Sequence, residues 1–416
     1  MTTLNFKKAF LAISFFYYMG FLSFFTNIFG ESSNDAFTAY ATGSVANQVV
    51  GSILLCMSLF MLFQLRIVNL ANFFRSFYLW GILIAWFMSS IIWSYEPAVS
   101  FRRVIAFTTL VLVVYCLVQN FSPKSLLRIF VITVFITASI GLVEAVVSPK
   151  NAFINGGIRS GAFTGFYFDK NGGARVYAYA LLTIVGLGFY KERWGLFAFF
   201  VIALCLTMSR SATALVMVIG GGGLIFMFKS LRAKTPSINI SRLALLILVL
   251  LAGGYLVFLL YETLLELLGR DSNLTNRTII WELLAPFIAE EFTFGYGFGA
   301  FWASDAVSSF LERWGFIGNA HSGYLEAMLQ GGIVCIAILS AILFNMIYLL
   351  FKSYVHDNSG ELSTTLIPLV IIQIIVNFIG FIILNHNSVD MFIFLLAFFV
   401  ANYKQSRVAI SNQSAV

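Results

Sequence analysis

The sequence predicts an all-α integral membrane protein with about twelve transmembrane helices, a single polytopic domain over residues 1–416 with long extracytoplasmic loops. Three observations predict it. Apolar residues make up 60% of the chain and charged residues only 10%, against roughly 25% charged in ordinary soluble domains. Mean hydropathy is +0.91. Apolar runs of about 17–25 residues, each long enough to cross a hydrocarbon core of about 30 Å as a helix, recur along almost the whole length. No soluble domain of ordinary size is left over, and nothing resembles a basic nucleic-acid module.

The first run, 9–29, follows Lys7 and Lys8. It exceeds the about 7–15 apolar residues of a signal peptide and is read as a retained helix. Spans follow at 45–65, 77–93, 104–120 and 127–147. The outer segment 148–173, "SPKNAFINGGIRSGAFTGFYFDKNGG", is too long for a mere connection. Next come spans at 174–190 and 194–208, after which Ser209-Arg210-Ser211 is the whole link to a span at 211–228. The Arg210 head therefore lies at the membrane surface, as an interfacial anchor or as a ligand group. Gly220 to Gly223, in mid-span, permit close helix approach or bending. A further span is expected at 243–263.

The second long outer loop covers 264–325 and is too aromatic for disorder. Within it, "TIIWELLAPFIAEE" (278–291) reads as a short helix lying in the interface plane. In "GYGFGAFW" (295–302), Gly295, Gly297 and Gly299 alternate with aromatics. A phosphate-cradling loop is weakly supported, since no strand precedes it and no Walker lysine follows. A tight turn that brings backbone close to a ligand or another helix fits better, and a purely structural turn fits as well. "FIGNAHSGYLE" (316–326) holds His321, one of three histidines. Imidazole ordinarily titrates near neutral pH and can accept a proton there; a hydrogen-bonded interfacial histidine is the alternative. Glu326 lies about 140° around a continuous helix from His321, so it can orient that residue only if the helix begins between them. Spans at 326–350, 365–384 and 389–403 complete the chain, and His356 and His386 read as ordinary loop residues. Cys56, Cys116, Cys205 and Cys335 fall inside spans without paired spacing, which points to packing rather than to disulfides or a metal site.

With an even number of spans both termini share a side, and the positive-inside rule makes it the cytoplasm, with 15 of the 25 Lys and Arg inside and 10 outside. The kinds differ too: eight Lys and seven Arg inside, two Lys and eight Arg outside. Topology needs only positive charge, whereas bidentate recognition of phosphate or carboxylate favours the guanidinium fork. The outer face thus has the composition of an anion-binding surface, with chance and interfacial snorkelling as the alternative.

"SRSATALV" (209–216), "NRTIIWELLAPFI" (276–288), "FGYGFGAFW" (294–302) and "NAHSGYLEAMLQGGIVCI" (319–336) resemble the O-antigen ligase and Wzy-type polymerase superfamily of bacterial membrane glycosyltransferases. The shared pattern is a basic residue in a tight outer hairpin, an R-x-x-x-W element, a spaced-glycine aromatic element and a histidine before a G-G-I helix. Similarity runs loosely from "WSYEPAVSFRR" (93–103) to 336. One departure is Asn276, where relatives commonly carry Gly; Asn also tolerates left-handed backbone.

The resemblance implies a GT-C-type helical membrane fold in the bacterial inner membrane, with the site facing the periplasm. It implies an undecaprenyl-pyrophosphate-linked glycan donor and a metal-independent, inverting transfer without cofactor. The acceptor would be a saccharide hydroxyl in O-antigen or exopolysaccharide assembly, or lipid A core, with membrane lipids and polysaccharide assembly proteins as partners. Carried over by position, His321 is the catalytic base, and Arg210 and Arg277 bind pyrophosphate. Arg102, Arg103 and Arg159 are secondary candidates for the anionic head or the glycan. A sideways-opening cavity in which Arg210, Arg277 and His321 converge is the matching expectation.

Polymerase is slightly favoured over ligase, because "GYGFGAFW" close to "NAHSGYLE" resembles the polymerases more. A lipid-linked oligosaccharide flippase or transporter is the rival of another class. Carriers usually place ionisable groups near the bilayer midplane, whereas Arg128, Glu144, Arg175, Glu262, Glu326 and Asp390 all lie near span ends. A scaffold for polysaccharide assembly would tolerate loss of His321 and Arg277.

Overall fold

The computed structural model describes residues 3–29, 40–64, 70–156, 160–233, 235–242, 244, 248, 277–308, 318–356 and 360–413. Among these residues the fold is helical, with no strand beyond an isolated antiparallel bridge between Phe153 and Phe163. Helix α1 (Thr3–Tyr18) and α2 (Phe21–Phe29) cover the first expected span as a pair bent by 55°, the bend falling at Gly20, whose φ is +90°. Then come α3 (Val45–Gln64), α4 (Leu70–Ser90), α5 (Pro97–Asn120), α6 (Pro123–Val147), α7 (Lys170–Leu187), α8 (Arg193–Met208) and α9 (Ala212–Ser230). The loop helix α10 (Arg277–Glu290), α11 (Gly323–His356), α12 (Glu361–Val376) and α13 (Val389–Gln413) follow. Every expected span falls on one of these helices except 243–263, which lies almost wholly outside the described residues. Five described helices are long and apolar enough to cross a membrane, or six with α1 and α2 taken together. Several expected spans are shorter helices, α8 and α12 among them.

The centre of the bundle is α13 against α5. Every residue from Met391 to Ala401 is buried, apolar on all sides of the helix, and α5 is buried from Thr109 to Val118. A helix apolar all round belongs in a core or a membrane. The periphery shows the complement, with Val146, Phe226 and Phe344 more than 70% exposed, as a lipid-facing surface requires. Of the four glycines in α9, Gly221 makes the close approach: a Cβ there would stand 2.7 Å from Leu182 of α7.

One ion pair is locked inside this core. Arg175 on α7 donates Nε and Nη2 to the two carboxylate oxygens of Asp390 on α13 at 3.0 and 2.9 Å. The Tyr179 hydroxyl donates to the same carboxylate at 2.8 Å, and Gln373 Nε2 to the Asp390 carbonyl at 2.8 Å. Arg175 is therefore spoken for and does not serve the anion-binding surface expected of the outer arginines. Asp390→Ala would strand a buried guanidinium, and removing one partner of such a pair costs roughly 3–5 kcal/mol. A clear drop in the thermal midpoint of the purified protein is expected, with Asp390→Glu recovering part of it; equal midpoints for Asp390→Ala and the parent would show the pair to be dispensable.

Helix α11 is broken. Gly331 (φ −154°, ψ 15°) and Gly332 (φ 63°, ψ −163°) leave helical geometry about two turns in, and the 292–296 segment of the loop docks into the gap. Ile333 N–H donates to the Phe292 carbonyl at 2.9 Å, Tyr296 N–H to the Leu329 carbonyl at 2.8 Å, and Trp86 Nε1 to the Gly331 carbonyl at 3.0 Å. Buried backbone groups freed by the break thus find new partners, as they must.

Candidate active site

The spaced glycines account for how the large loop is held. Gly295, Gly297 and Gly299 have φ of 67°, 98° and 72°, a region that glycine enters at little cost. Each also faces a near neighbour. A Cβ at Gly295 would be 2.7 Å from Gly331 N, one at Gly297 2.5 Å from Ser94 Oγ, and one at Gly299 would meet the Arg103 side chain. The turn therefore brings backbone against another helix, one of the readings open in the sequence. Between the glycines, Tyr296 and Phe298 are buried, the latter stacked on Phe87 at 4.0 Å.

This platform supports the turn that carries His321. Ala320 N–H donates to Glu326 Oε2 at 2.9 Å, and the Ala320 carbonyl accepts from Trp281 Nε1 at 3.0 Å. His321 N–H donates to Asn319 Oδ1 at 3.0 Å, and Gly323 N–H to the Asn377 carbonyl at 2.7 Å. Glu326 is buried and also accepts from Trp302 Nε1 and Gln330 Nε2, each at 3.1 Å. Because α11 begins at Gly323, between the two residues, the stated condition for Glu326 is met, but its described hold is on the backbone beside His321.

The R-x-x-x-W spacing acquires a physical sense. Arg277 opens α10 and Trp281 is one turn on, so both lie on one face of the helix. Trp281 then pins that helix to the carbonyl beside His321, which ties the Arg277 helix and the His321 turn together. Arg277 and His321 are both half-buried.

The described contacts of Arg210 are with the first outer loop. Arg210 is exposed, and its Nη1 donates to the Ser160 carbonyl at 3.4 Å, over Gly161 of the 148–173 loop. Its neighbour Ser211 reaches Asn171 at 3.3 Å. Arg210 and His321 share one property: with Phe168 and Leu384 they are the non-glycine residues of positive φ among the described residues, at 51° and 50°. Such backbone costs of order 1–3 kcal/mol and persists where its surroundings enforce it. Arg159 and Asn276 lie outside the described residues.

Arg102 and Arg103 face a cavity of about 590 Å³. Arg103 Nη1 donates to the Tyr40 hydroxyl at 2.6 Å with its guanidinium 3.8 Å from the ring centroid, and Arg102 donates to the Ala41 carbonyl. Asn319 and His386 are also in the wall; Arg210, Arg277 and His321 are not, so this cavity is not the one expected to gather those three. His386, read from sequence as an ordinary loop residue, keeps part of its surface open to the cavity. Burial among its neighbours, with Arg103 adding to the effect, pushes its pKa down to about 3, which keeps the imidazole neutral. Its signal in the sequence was the polar run "NHNS" between two apolar spans on the same side as Arg102 and Arg103.

Residues 195–340 match the family described as O-Antigen ligase. The chain is also 27% identical over 177 residues to the exopolysaccharide production protein ExoQ of Rhizobium meliloti (strain 1021), a match covering 39% of this chain and 40% of that protein. The chain thus spans less than half of that relative's length in the match. Both matches bear out the resemblance to the O-antigen ligase and polymerase superfamily, and the apolar helices mark a multi-pass membrane protein.

Proposed function

We propose that this protein is a glycosyltransferase acting at the outer face of the inner membrane, moving glycan from an undecaprenyl-pyrophosphate donor to a sugar hydroxyl during surface polysaccharide assembly. The observation that carries the proposal is the clamped turn at Ala320-His321, joined through Trp281 to the helix that starts at Arg277. A base and a cation fixed in relation to each other are what a displacement at an anomeric carbon requires.

In the reaction so drawn, the acceptor hydroxyl attacks the anomeric carbon and gives its proton to His321. The new glycosidic C–O bond forms as the bond to pyrophosphate breaks on the opposite face, so configuration inverts. Arg277 and Arg210 take up the charge gathering on the leaving pyrophosphate. That group leaves without protonation by an acid, so no glycosidase-like carboxylate pair is needed. The proton on His321 passes to water after product leaves.

Trp281→Phe tests the clamp. One hydrogen bond is lost, about 0.5–1.5 kcal/mol of stability, yet a shift of about 1 Å in the turn can lower the rate roughly 10²-fold. A fall in kcat out of proportion to the change in thermal midpoint is expected. Proportionate small changes would reduce Trp281 to packing.

Polymerase action is favoured on the likeness to an exopolysaccharide production protein; the family description names a ligase, for which lipid A core is the acceptor to test. Purified protein given a lipid-linked repeat unit, with or without lipid A core, separates them. A ladder from the donor alone means polymerase, and product only with lipid A core means ligase. If neither forms while reconstituted protein moves the lipid across a bilayer, the protein is a transporter.

A further inference from the structure

The Arg102–Arg103 cavity is not used by the reaction as drawn, in which His321 takes the proton and Arg210 and Arg277 hold pyrophosphate. Its about 590 Å³ lies within the roughly 300–1,000 Å³ of small-ligand sites. Two guanidinium groups adjoin it on consecutive residues, and the ion pairs among the described residues involve neither. Arg102 is hydrogen-bonded to a carbonyl and Arg103 to a hydroxyl, and among the described residues neither is in contact with a carboxylate. Such a pair matches an anion, and the planar fork matches a carboxylate best.

The rest of the wall describes the ligand further. Asn47, Asn385 and Asn387 face the cavity, and no described hydrogen bond engages their side chains. An amide offers donors and an acceptor together. A bare phosphate needs donors alone, whereas sugar hydroxyls need both. Position supplies the last element: Asn319 lines the cavity and its side chain accepts the His321 N–H, so the space adjoins the turn that holds the proposed base.

We infer that this cavity is the acceptor-saccharide subsite, and that it takes a sugar segment bearing a carboxylate, held by Arg102 and Arg103 with its reacting hydroxyl toward His321. The inference rests on the glycosyltransferase reading for the role of the ligand, while the binding itself can be tested without transfer.

The test is calorimetric binding of trigalacturonate, of its fully methyl-esterified form and of inorganic pyrophosphate to the full-length protein in detergent. Trigalacturonate should bind, the neutral ester at least tenfold more weakly. Arg102→Gln and Arg103→Gln should each weaken binding at least tenfold. Because Arg103 also packs under Gly299, Arg102→Gln and Asn385→Ala carry the test if Arg103→Gln does not fold. Equal binding of the ester, no binding of trigalacturonate, or its displacement by pyrophosphate would overturn the inference, the last by making this a donor-head site. Binding as described in a protein without His321-dependent transfer would defeat the enzyme reading alone; transfer without uronate binding would defeat the subsite alone.

Discussion

His321→Asn is expected to slow glycan transfer by about 10²–10⁴-fold, the range supplied by a positioned general base, with little change in stability. Asn is the better replacement because the backbone there sits at φ 50°, a region it enters more readily than alanine does. The contacts that hold the turn belong to the backbone of Ala320, His321 and Gly323 and remain available in the variant. Single-turnover transfer from a lipid-linked repeat unit is the measurement, with unfolding followed on the same preparation. A variant that transfers at the parent rate would remove His321 from the chemistry.

Gly332→Ala carries the largest expected effect on the fold. At φ 63° and ψ −163° the residue occupies a region kept essentially to glycine, and its Cβ would fall on the Thr293 carbonyl oxygen. Backbone strain of about 1–3 kcal/mol and overpacking of about 1–3 kcal/mol act together. Thr293 cannot retreat easily, since its neighbour Phe292 accepts the Ile333 N–H. Gly222→Ala is the control, in a regular helix with nothing within 4 Å of the new Cβ, and should be neutral or stabilising by up to about 1 kcal/mol. Thermal midpoints that rank the two variants the other way would mean that the α11 break is tolerant of a side chain.

The helices were legible because hydropathy is a local property: each apolar run declares its own span. The break in α11 was hidden for the same reason. "LQGGIVCI" reads as continuous apolar sequence, and the groups that compensate the break come from 292–296 and from Trp86, distant in the chain. Spaced glycines in "GYGFGAFW" signalled close approach without naming Ser94, Arg103 or α11 as what is approached. Glu326 was legible as a condition on where a helix begins, and the start at Gly323 resolved it. Trp281 was part of a recognised spacing, yet its partner, a backbone carbonyl, carries no mark in a sequence. The ion pair of Arg175 was hidden because its partner Asp390 is 215 positions away. The setting of His386 was hidden because a loop position says nothing of the Arg103 near it.

The left-handed backbone at Arg210 and His321 has a practical consequence for anyone who improves this protein by selection. Glycine at either position would relax the chain and delete a group proposed to act on the substrate. Screens that reward yield or heat tolerance alone will therefore drift toward well-behaved, inert molecules, and these two codons should be held fixed in any library. The same bias is useful when inertness is wanted: a relaxed, silent variant is the natural vehicle for capturing donor and acceptor together.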